Sequence, residues 1–380
     1  MRKVILIIFA LLTLLEASYS TEPTWKNKME ELRTVLTKLL PIVVSDNEFN
    51  SPNNFQNIER YSKQLAELAH KMPKGELPAD TDPSLGLISM LFKDEIVMAN
   101  LHLRNGNRQY ARRILLNVPK YCIACHTRST VPIDLTPVQQ SVPASLKSSF
   151  ERAQYFETTW QFDRALEEFE KIVKDPMVEK TSPLEWQKAA NLGIATAVRV
   201  QNDPDRALVF VNTILSSSSA PQFLKNDAQE WRASLLEWQK EPAKVFEDKN
   251  QLLNEAQRLV DLAKAKQKYP TDRNANILYL RATSVLHDFL RKSPENSNAA
   301  EALLLLGVCY EILQDLELWS LHELYFEACI RVYPHSPIAE TCYKRYEQSL
   351  FVGYSGSGGV ALPAELMTHL NDLRKLAGPY

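Results

Sequence analysis

The chain has 380 residues, of which 45% are apolar, so it is long enough to bury two hydrophobic cores. Its 44 basic and 46 acidic residues give a net charge of −2, which excludes the strong basic excess typical of nucleic-acid-binding proteins. Only 10 residues are glycine, whereas helix-forming residues abound. We therefore expect an all-α protein with two domains and no nucleic-acid partner.

The N-terminus has the pattern of a secretory signal peptide. Met1-Arg2-Lys3 is basic, Val4 to Leu15 is apolar, and Ser18-Tyr19-Ser20 offers small residues for cleavage. The apolar run is short for a membrane span, and no later segment approaches about 18 consecutive apolar residues. Residues 1–20 are thus predicted to direct export, to the periplasm in a Gram-negative source. An uncleaved membrane anchor is the alternative.

Four segments that follow have apolar residues at three- and four-residue steps, the pattern of amphipathic helices. The stripes are Trp25, Met29, Leu32, Leu36, Leu39 and Val43; Ile58, Tyr61, Leu65, Leu68 and Met72; Ile88, Phe92, Ile96, Ala99 and Leu103; and Ala111, Leu115, Val118, Cys122 and Cys125. A Ser/Asn/Pro-rich turn at residues 45–54 separates the first two. Short connections favour an antiparallel four-helix bundle, predicted over residues 21–130.

Residues 131–144 are proline-rich, lack helical periodicity and are predicted to be a linker. Beyond them, small and aromatic residues recur at spacings of three, nine and four. The two sets are Ala153, Phe156, Ala165 and Phe169, and Ala195, Val198, Ala207 and Val211. With Pro294 and Pro334 after later helices, the segment resembles the tetratricopeptide repeat, although residues 216–275 fit poorly. This resemblance implies a helical solenoid over residues 145–380 that docks a partner protein.

The run Cys122-Ile-Ala-Cys125-His126 carries the chemistry. Two thiols can add across the two vinyl groups of a porphyrin, and the adjacent imidazole can ligate the iron. Zinc binding or disulfide exchange are the alternatives, but no second CxxC or HxxxH supplies further zinc ligands. We therefore predict one covalent haem c on Cys122 and Cys125, with His126 as proximal axial ligand.

Four helices with CxxCH near the end of the fourth resemble the cytochrome c′ family, over residues 24–128. The resemblance implies a haem-binding bundle, and the low-spin members of that family use a methionine early in the first helix as sixth ligand. Met29 matches that position. One departure is Pro119, which is expected to interrupt the fourth helix just before the motif because proline lacks the backbone donor.

Geometry alone also narrows the sixth ligand. In an up-down-up-down bundle, the end of the fourth helix lies beside Met29, His70, Met72 and Met90, whereas Met98 and His102 lie toward the other end. Met29 is the tentative ligand, but His70, Met72 and an open iron remain alternatives, because a methionine on an apolar helix face is often plain core.

Residues 101–128 carry six basic residues and no acidic one. They are Arg104, Arg108, Arg112, Arg113, Lys120 and Arg128. This run either neutralises haem propionates, steers an acidic redox partner or is a solvated helix face. Cys309, Cys329 and Cys342 could contain one disulfide or remain free.

The leading hypothesis is an exported c-type cytochrome that carries electrons rather than catalysing a reaction, with the C-terminal helices docking a redox or assembly partner. A haem-based gas or redox sensor, or a peroxidase-like protein, would need an open iron face. A non-catalytic scaffold is the third possibility. No nucleotide loop or catalytic triad pattern occurs in residues 145–380: Gly353 to Gly359 is expected to be a flexible loop, and His287, His322, His335 and His369 are expected to be structural or solvated.

Overall fold

A computed structural model describes residues 25–71, 85–126, 142–242, 246, 248–269, 272–292, 298–316 and 321–378. The predicted signal peptide, Met72 and residues 131–141 of the predicted linker lie outside this part. The described residues form seventeen α-helices and one very short hairpin, which confirms the all-α class. No helix among them combines the length and apolar character that a bilayer crossing requires.

The four helical segments predicted in the N-terminal third are helical over their described residues. Five helices are present here: α1 (Trp25–Val44), α2 (Asp46–Asn50), α3 (Phe55–His70), α4 (Leu85–Arg104) and α5 (Arg108–His126). The short helix α2 corrects the prediction of a plain turn at residues 45–54. It forms because the Ser45 side chain caps it by accepting a hydrogen bond from the backbone N–H of Glu48.

The apolar stripes of α1, α3, α4 and α5 meet in one N-terminal cluster. Leu32, Leu39, Ile58, Leu65 and Ala111 are among its buried residues. Helices adjacent in sequence contact each other, and α1 also contacts α5. These contacts bury the faces that the periodicity predicted.

Helix α5 is not interrupted at Pro119, which corrects the sequence-based expectation. The helix continues to His126, just as α1 continues past Pro41. Proline removes one hydrogen bond and crowds the preceding turn. Leu115 and Val118 lie in that preceding turn and are buried in the N-terminal cluster. Burial of this helix face offsets the lost hydrogen bond.

The C-terminal two thirds consist of helices that mostly pack on their neighbours in chain order, except that α11 packs on α13 rather than on α12. Their bounds are α6 (Ser149–Thr158), α7 (Phe162–Val173), α8 (Pro176–Thr181), α9 (Pro183–Ala195), α10 (Pro204–Ser216), α11 (Gln222–Lys240), α12 (Lys249–Lys266), α13 (Asn276–Lys292), α14 (Ala299–Ile312), α15 (Leu321–Val332), α16 (Pro337–Gly353) and α17 (Ala364–Ala377). Four of these helices begin with proline, whose fixed φ suits the first helical position. A π-helical segment, Thr196–Gln201, follows α9.

Two glycines mark close approaches between these helices. A Cβ on Gly193 would lie 2.4 Å from the ring of Phe210, and a Cβ on Gly307 would lie 2.2 Å from the ring of Phe326. No larger residue fits at either position without movement. The eight small and aromatic residues of the predicted repeat sets are likewise buried.

The segment before the last helix contains a hairpin rather than the expected flexible loop. Strands β1 (Ser355–Gly356) and β2 (Gly359–Val360) pair antiparallel and are exposed. Gly359 has a φ of +99°, a backbone conformation that glycine adopts at little cost. Helix α17 then packs on α15 and α16 through Leu370, Leu373 and Ala377.

The N-terminal helices also pack against the C-terminal helices. Leu40 and Val44 on α1, and Leu87 and Ile88 on α4, belong to the larger apolar cluster that runs through the C-terminal helices. Helix α1 contacts α6, and α4 contacts α15. Apolar burial is therefore continuous from one half of the described chain to the other.

Candidate functional site

The Cys-x-x-Cys-His run occupies the last turns of α5. The backbone is helical through Cys122, Cys125 and His126, and α5 ends at His126. Positions separated by three and four residues share one face of a helix, so the three positions share a face. Because Val118 is buried and precedes Cys122 by four residues, that face continues the stripe of α5 that faces the N-terminal cluster.

A tyrosine and a carboxyl group lie next to this end of α5. Tyr121 is half-buried and packs against both apolar clusters. Burial raises the pKa of the Tyr121 hydroxyl, and the nearby Glu95 carboxylate raises it further. Burial also raises the pKa of Glu95, with a smaller contribution from Asp94. The side chains of Tyr121 and Glu95 are thus partly shielded from solvent.

Helices α1 and α5 are fixed to each other at the opposite end of α5. Arg112 donates hydrogen bonds to the carbonyl oxygens of Val43 and Val44, each at 2.9 Å, and its guanidinium pairs with Asp46 at 2.7 Å. The end of α1 therefore lies beside the first turns of α5.

The start of α1 also meets the end of α3. Lys28 donates a hydrogen bond from Nζ to the carbonyl oxygen of Lys71 at 3.0 Å. Met29, the next residue, is half-buried against the N-terminal cluster, as the sequence predicted for an inward-facing residue.

The other candidate iron ligands that the structure describes on α3 and α4, except His102, are more exposed than Met29. His70 is exposed at the end of α3. Met90 is 42% exposed. Met98 is exposed as well. His102 packs edge-on against Tyr110 near the turn between α4 and α5, whereas the motif is at the other end of α5.

Part of the basic run on α5 has a structural role. Arg108 stacks over the ring of Phe55 at 3.6 Å and donates a hydrogen bond to the carbonyl oxygen of Phe49. Arg112 satisfies carbonyl groups at the end of α1, as described above. Both lie in the first turns of α5, away from Cys122, and are bonded within the protein, a role that none of the three sequence-based interpretations of the basic run included. Arg128 lies outside the described residues.

The cysteine question left open by the sequence has an answer. Cys329 on α15 and Cys342 on α16 form a disulfide, and Cys309 on α14 is free and buried. Burial raises the pKa of the Cys309 thiol, which keeps it protonated. The disulfide joins consecutive helices 13 residues apart, a pairing that the sequence allowed but did not single out.

The C-terminal histidines interact with protein groups, which agrees with the structural role predicted for them. His287 Nε2 lies 2.8 Å from the Tyr310 hydroxyl, and His322 Nε2 lies 2.7 Å from Ser349 Oγ. His369 pairs with the buried Glu327 at 3.2 Å. Within the described residues no three His, Cys, Asp or Glu side chains converge as a metal site would require.

No known protein family, curated protein or solved structure matches the chain.

Proposed function

We propose that the protein is an exported c-type cytochrome. Its N-terminal helices form a bundle that binds one haem c through Cys122, Cys125 and His126, and its C-terminal helices form a solenoid that docks a partner protein. The observation that carries the proposal is the complete Cys-x-x-Cys-His run on one face of the final turns of α5, in line with the buried stripe.

The donor set fits haem c. Two thiols three residues apart can each form a thioether with one porphyrin vinyl group, while the following imidazole ligates the iron from one side. Bound iron would supply one-electron transfer between its ferric and ferrous states. The chain's contribution is attachment, exclusion of water by the N-terminal cluster, and ligation. No element of the proposal requires catalytic residues.

Met29 is the sixth ligand that the helix register favours. Met29 lies 14 residues before Val43, and His126 lies 14 residues after Arg112. Each separation is about 21 Å along a helix axis at about 1.5 Å per residue. In the proposed antiparallel bundle, with Arg112 bonded to Val43 at one end, Met29 and His126 would come to a similar height at the other. His70 and Met90 are more exposed, and an open iron would instead suit a gas sensor or a peroxidase.

Export is supported by the disulfide. Disulfides persist outside the cytoplasm and are rare in reducing compartments, and haem c is attached outside the cytoplasm. A bond between Cys329 and Cys342 therefore agrees with the signal-peptide pattern of residues 1–20.

Docking by the C-terminal helices is supported by their packing, which follows chain order from α6 to α11 and from α12 to α17. Helices stacked in chain order bury a continuous core and leave an extended surface for a partner. The tight glycine contacts at Gly193 and Gly307 hold neighbouring helices at short range, as paired helices of a repeat require. We infer a redox or assembly partner, and a pure scaffold would use the same surface without haem.

The proposal is tested by detecting covalently bound haem and recording its visible spectrum. We would purify the chain from a host that matures c-type cytochromes, stain a denaturing gel for haem and record ferric and ferrous spectra. Covalent haem that is lost in a Cys122→Ala/Cys125→Ala double variant is expected. A low-spin spectrum lost in Met29→Ala but kept in the control Met98→Ala would support Met29. A high-spin spectrum that shifts with carbon monoxide would favour the sensor, and absence of haem would refute the cytochrome and leave the scaffold.

A further inference from the structure

Helix α4 is apolar on two sides. Its inner face is buried in the two apolar clusters, but its outer face carries Met90, Val97, Met98 and Leu101, each between 42% and 45% exposed. A helix at the surface of a globular protein usually presents a polar face to water. The outer face of α4 departs from that pattern.

These residues follow one line along the surface of α4. Met90, Val97 and Leu101 are separated by seven and four residues, spacings that place them above one another along a helix, and Met98 flanks them. We call this line the α4 stripe. The largest exposed apolar patch on a monomer is typically about 300–600 Å² and is often functional.

Two opposite charges lie on the same line. Asp94 and Arg104 are exposed at spacings of three residues from Val97 and Leu101 respectively, so they bracket the apolar centre of the stripe. Neither has an ion-pair partner among the described residues. The central part of the stripe, Val97 to Leu101, is therefore flanked by an acidic residue on one side and a basic residue on the other.

We propose that the α4 stripe is the interface of a homodimer in which two copies of α4 pack antiparallel about a two-fold axis at the level of residue 99. Asp94 and Arg104 are each five residues from that level, so Asp94 of each copy faces Arg104 of the other. Val97 and Leu101 are each two residues from it, so Val97 of one copy packs on Leu101 of the other. Two symmetric ion pairs thus flank an apolar centre.

A second copy is the occupant that this arrangement favours. A two-fold interface uses the same patch twice, so the patch must be complementary to itself. An acidic and a basic group at equal distances from an apolar centre meet that condition. An unrelated partner would not require the equal spacing. The interface also leaves the Cys-x-x-Cys-His positions on α5 unused, so the inference is independent of the proposed haem.

A larger interface than the stripe is needed for tight association. Stable dimers bury about 800 Å² on each copy, more than four half-exposed side chains provide. Antiparallel packing adds contacts, because Met90 then approaches the turn between α4 and α5 of the other copy, where Tyr110 is 52% exposed. We expect a dissociation constant in the micromolar range.

Charge reversal tests the pairing. The dissociation constant of the purified full chain would be measured by sedimentation equilibrium at low salt. Asp94→Arg and Arg104→Asp are each expected to weaken the dimer at least tenfold, because like charges then meet across the axis. The double variant restores the opposite-charge pairs and is expected to return within about threefold of the wild type.

Two further variants separate the interface from general effects. Glu230→Arg changes the net charge as Asp94→Arg does, but lies on the exposed face of α11, and is expected to leave dimerisation unchanged. Met98→Lys is expected to abolish the dimer while circular dichroism shows the helices intact. A wild-type monomer at all concentrations, a dimer insensitive to Met98→Lys, or single reversals that the double variant does not rescue would each overturn the proposal.

Discussion

Gly307 lets α14 and the ring of Phe326 on α15 approach closely. Because an added Cβ would lie 2.2 Å from that ring, Gly307→Ala forces the ring or a helix to move. We expect a loss of about 1–3 kcal/mol in the free energy of unfolding, the usual range for overpacking. Urea denaturation would measure it.

The control for Gly307 is another helical glycine in open space. Gly353 ends α16 and has no atom within 4 Å of its would-be Cβ, so Gly353→Ala is expected to be neutral or slightly stabilising. If both substitutions cost the same, the crowding at Phe326 is not the cause. Combining Gly307→Ala with Phe326→Leu should recover part of the loss if it is.

Arg112 donates hydrogen bonds to the last carbonyl groups of α1, whereas its neighbour Arg113 is exposed. Arg112 donates to two carbonyl groups that have no partner within α1 and also pairs with Asp46. Arg112→Ala is expected to lower the free energy of unfolding by about 1–3 kcal/mol. Arg113→Ala, an exposed residue on the same helix turn, is expected to cost less than 0.5 kcal/mol or so. Thermal and urea unfolding of the pair would separate structural from merely electrostatic effects of the basic run.

At the scale of elements, the contact between α15 and α16 should make stability depend on pH. Burial lowers the pKa of His322 to about 4, so the folded state keeps this imidazole neutral. The unfolded chain, with an imidazole pKa of about 6.5, takes up a proton as the pH falls below that value. The unfolded state then binds more protons, and His322 lowers stability progressively between about pH 6.5 and 4.

The free energy of unfolding would be measured against pH for the wild type and for a variant, and the profiles would be compared. Glu323, whose pKa burial raises, contributes with the opposite sign in the same region. Between pH 7 and 5, His322→Gln is therefore expected to lose less stability than the wild type, by about 1–2 kcal/mol. A His322→Gln profile parallel to the wild type would contradict the buried neutral imidazole.

The elements themselves were largely predictable from the sequence. Helices α1, α3, α4 and α5 follow from apolar periodicity, which is a local property of the chain. Helix α2 was missed because a five-residue helix gives no period, and its one signal is the Ser45 cap with Glu48 three residues later. Pro119 was misjudged because its local cost is offset by the burial of Leu115 and Val118, which lie on a face whose partner is distant in sequence.

At the scale of the whole molecule, the two halves should be coupled. Ile88 on α4 is buried in the larger cluster, whereas Ile58 on α3 is buried in the N-terminal cluster alone. Each Ile→Ala change is expected to cost about 2–5 kcal/mol. Because α4 contacts α15, Ile88→Ala is expected to increase amide hydrogen exchange in α15, and Ile58→Ala to leave it near the wild-type rate. Equal exchange in α15 for both variants would mean that the halves unfold independently.

The sequence by itself determined the all-α class, the positions of α1, α3, α4 and α5, the buried residues of their stripes that the structure describes, and the presence of the Cys-x-x-Cys-His motif, since all of these depend on short-range spacing. Only the tertiary structure decided which cysteines pair, that Arg112 bonds to the end of α1 and Arg108 to residues of α2 and α3, that α1 and α4 pack against the C-terminal helices, and that α4 keeps an apolar face in water. Each of these depends on which helix faces meet. That is a property of contacts between distant residues, which periodicity along one helix does not encode.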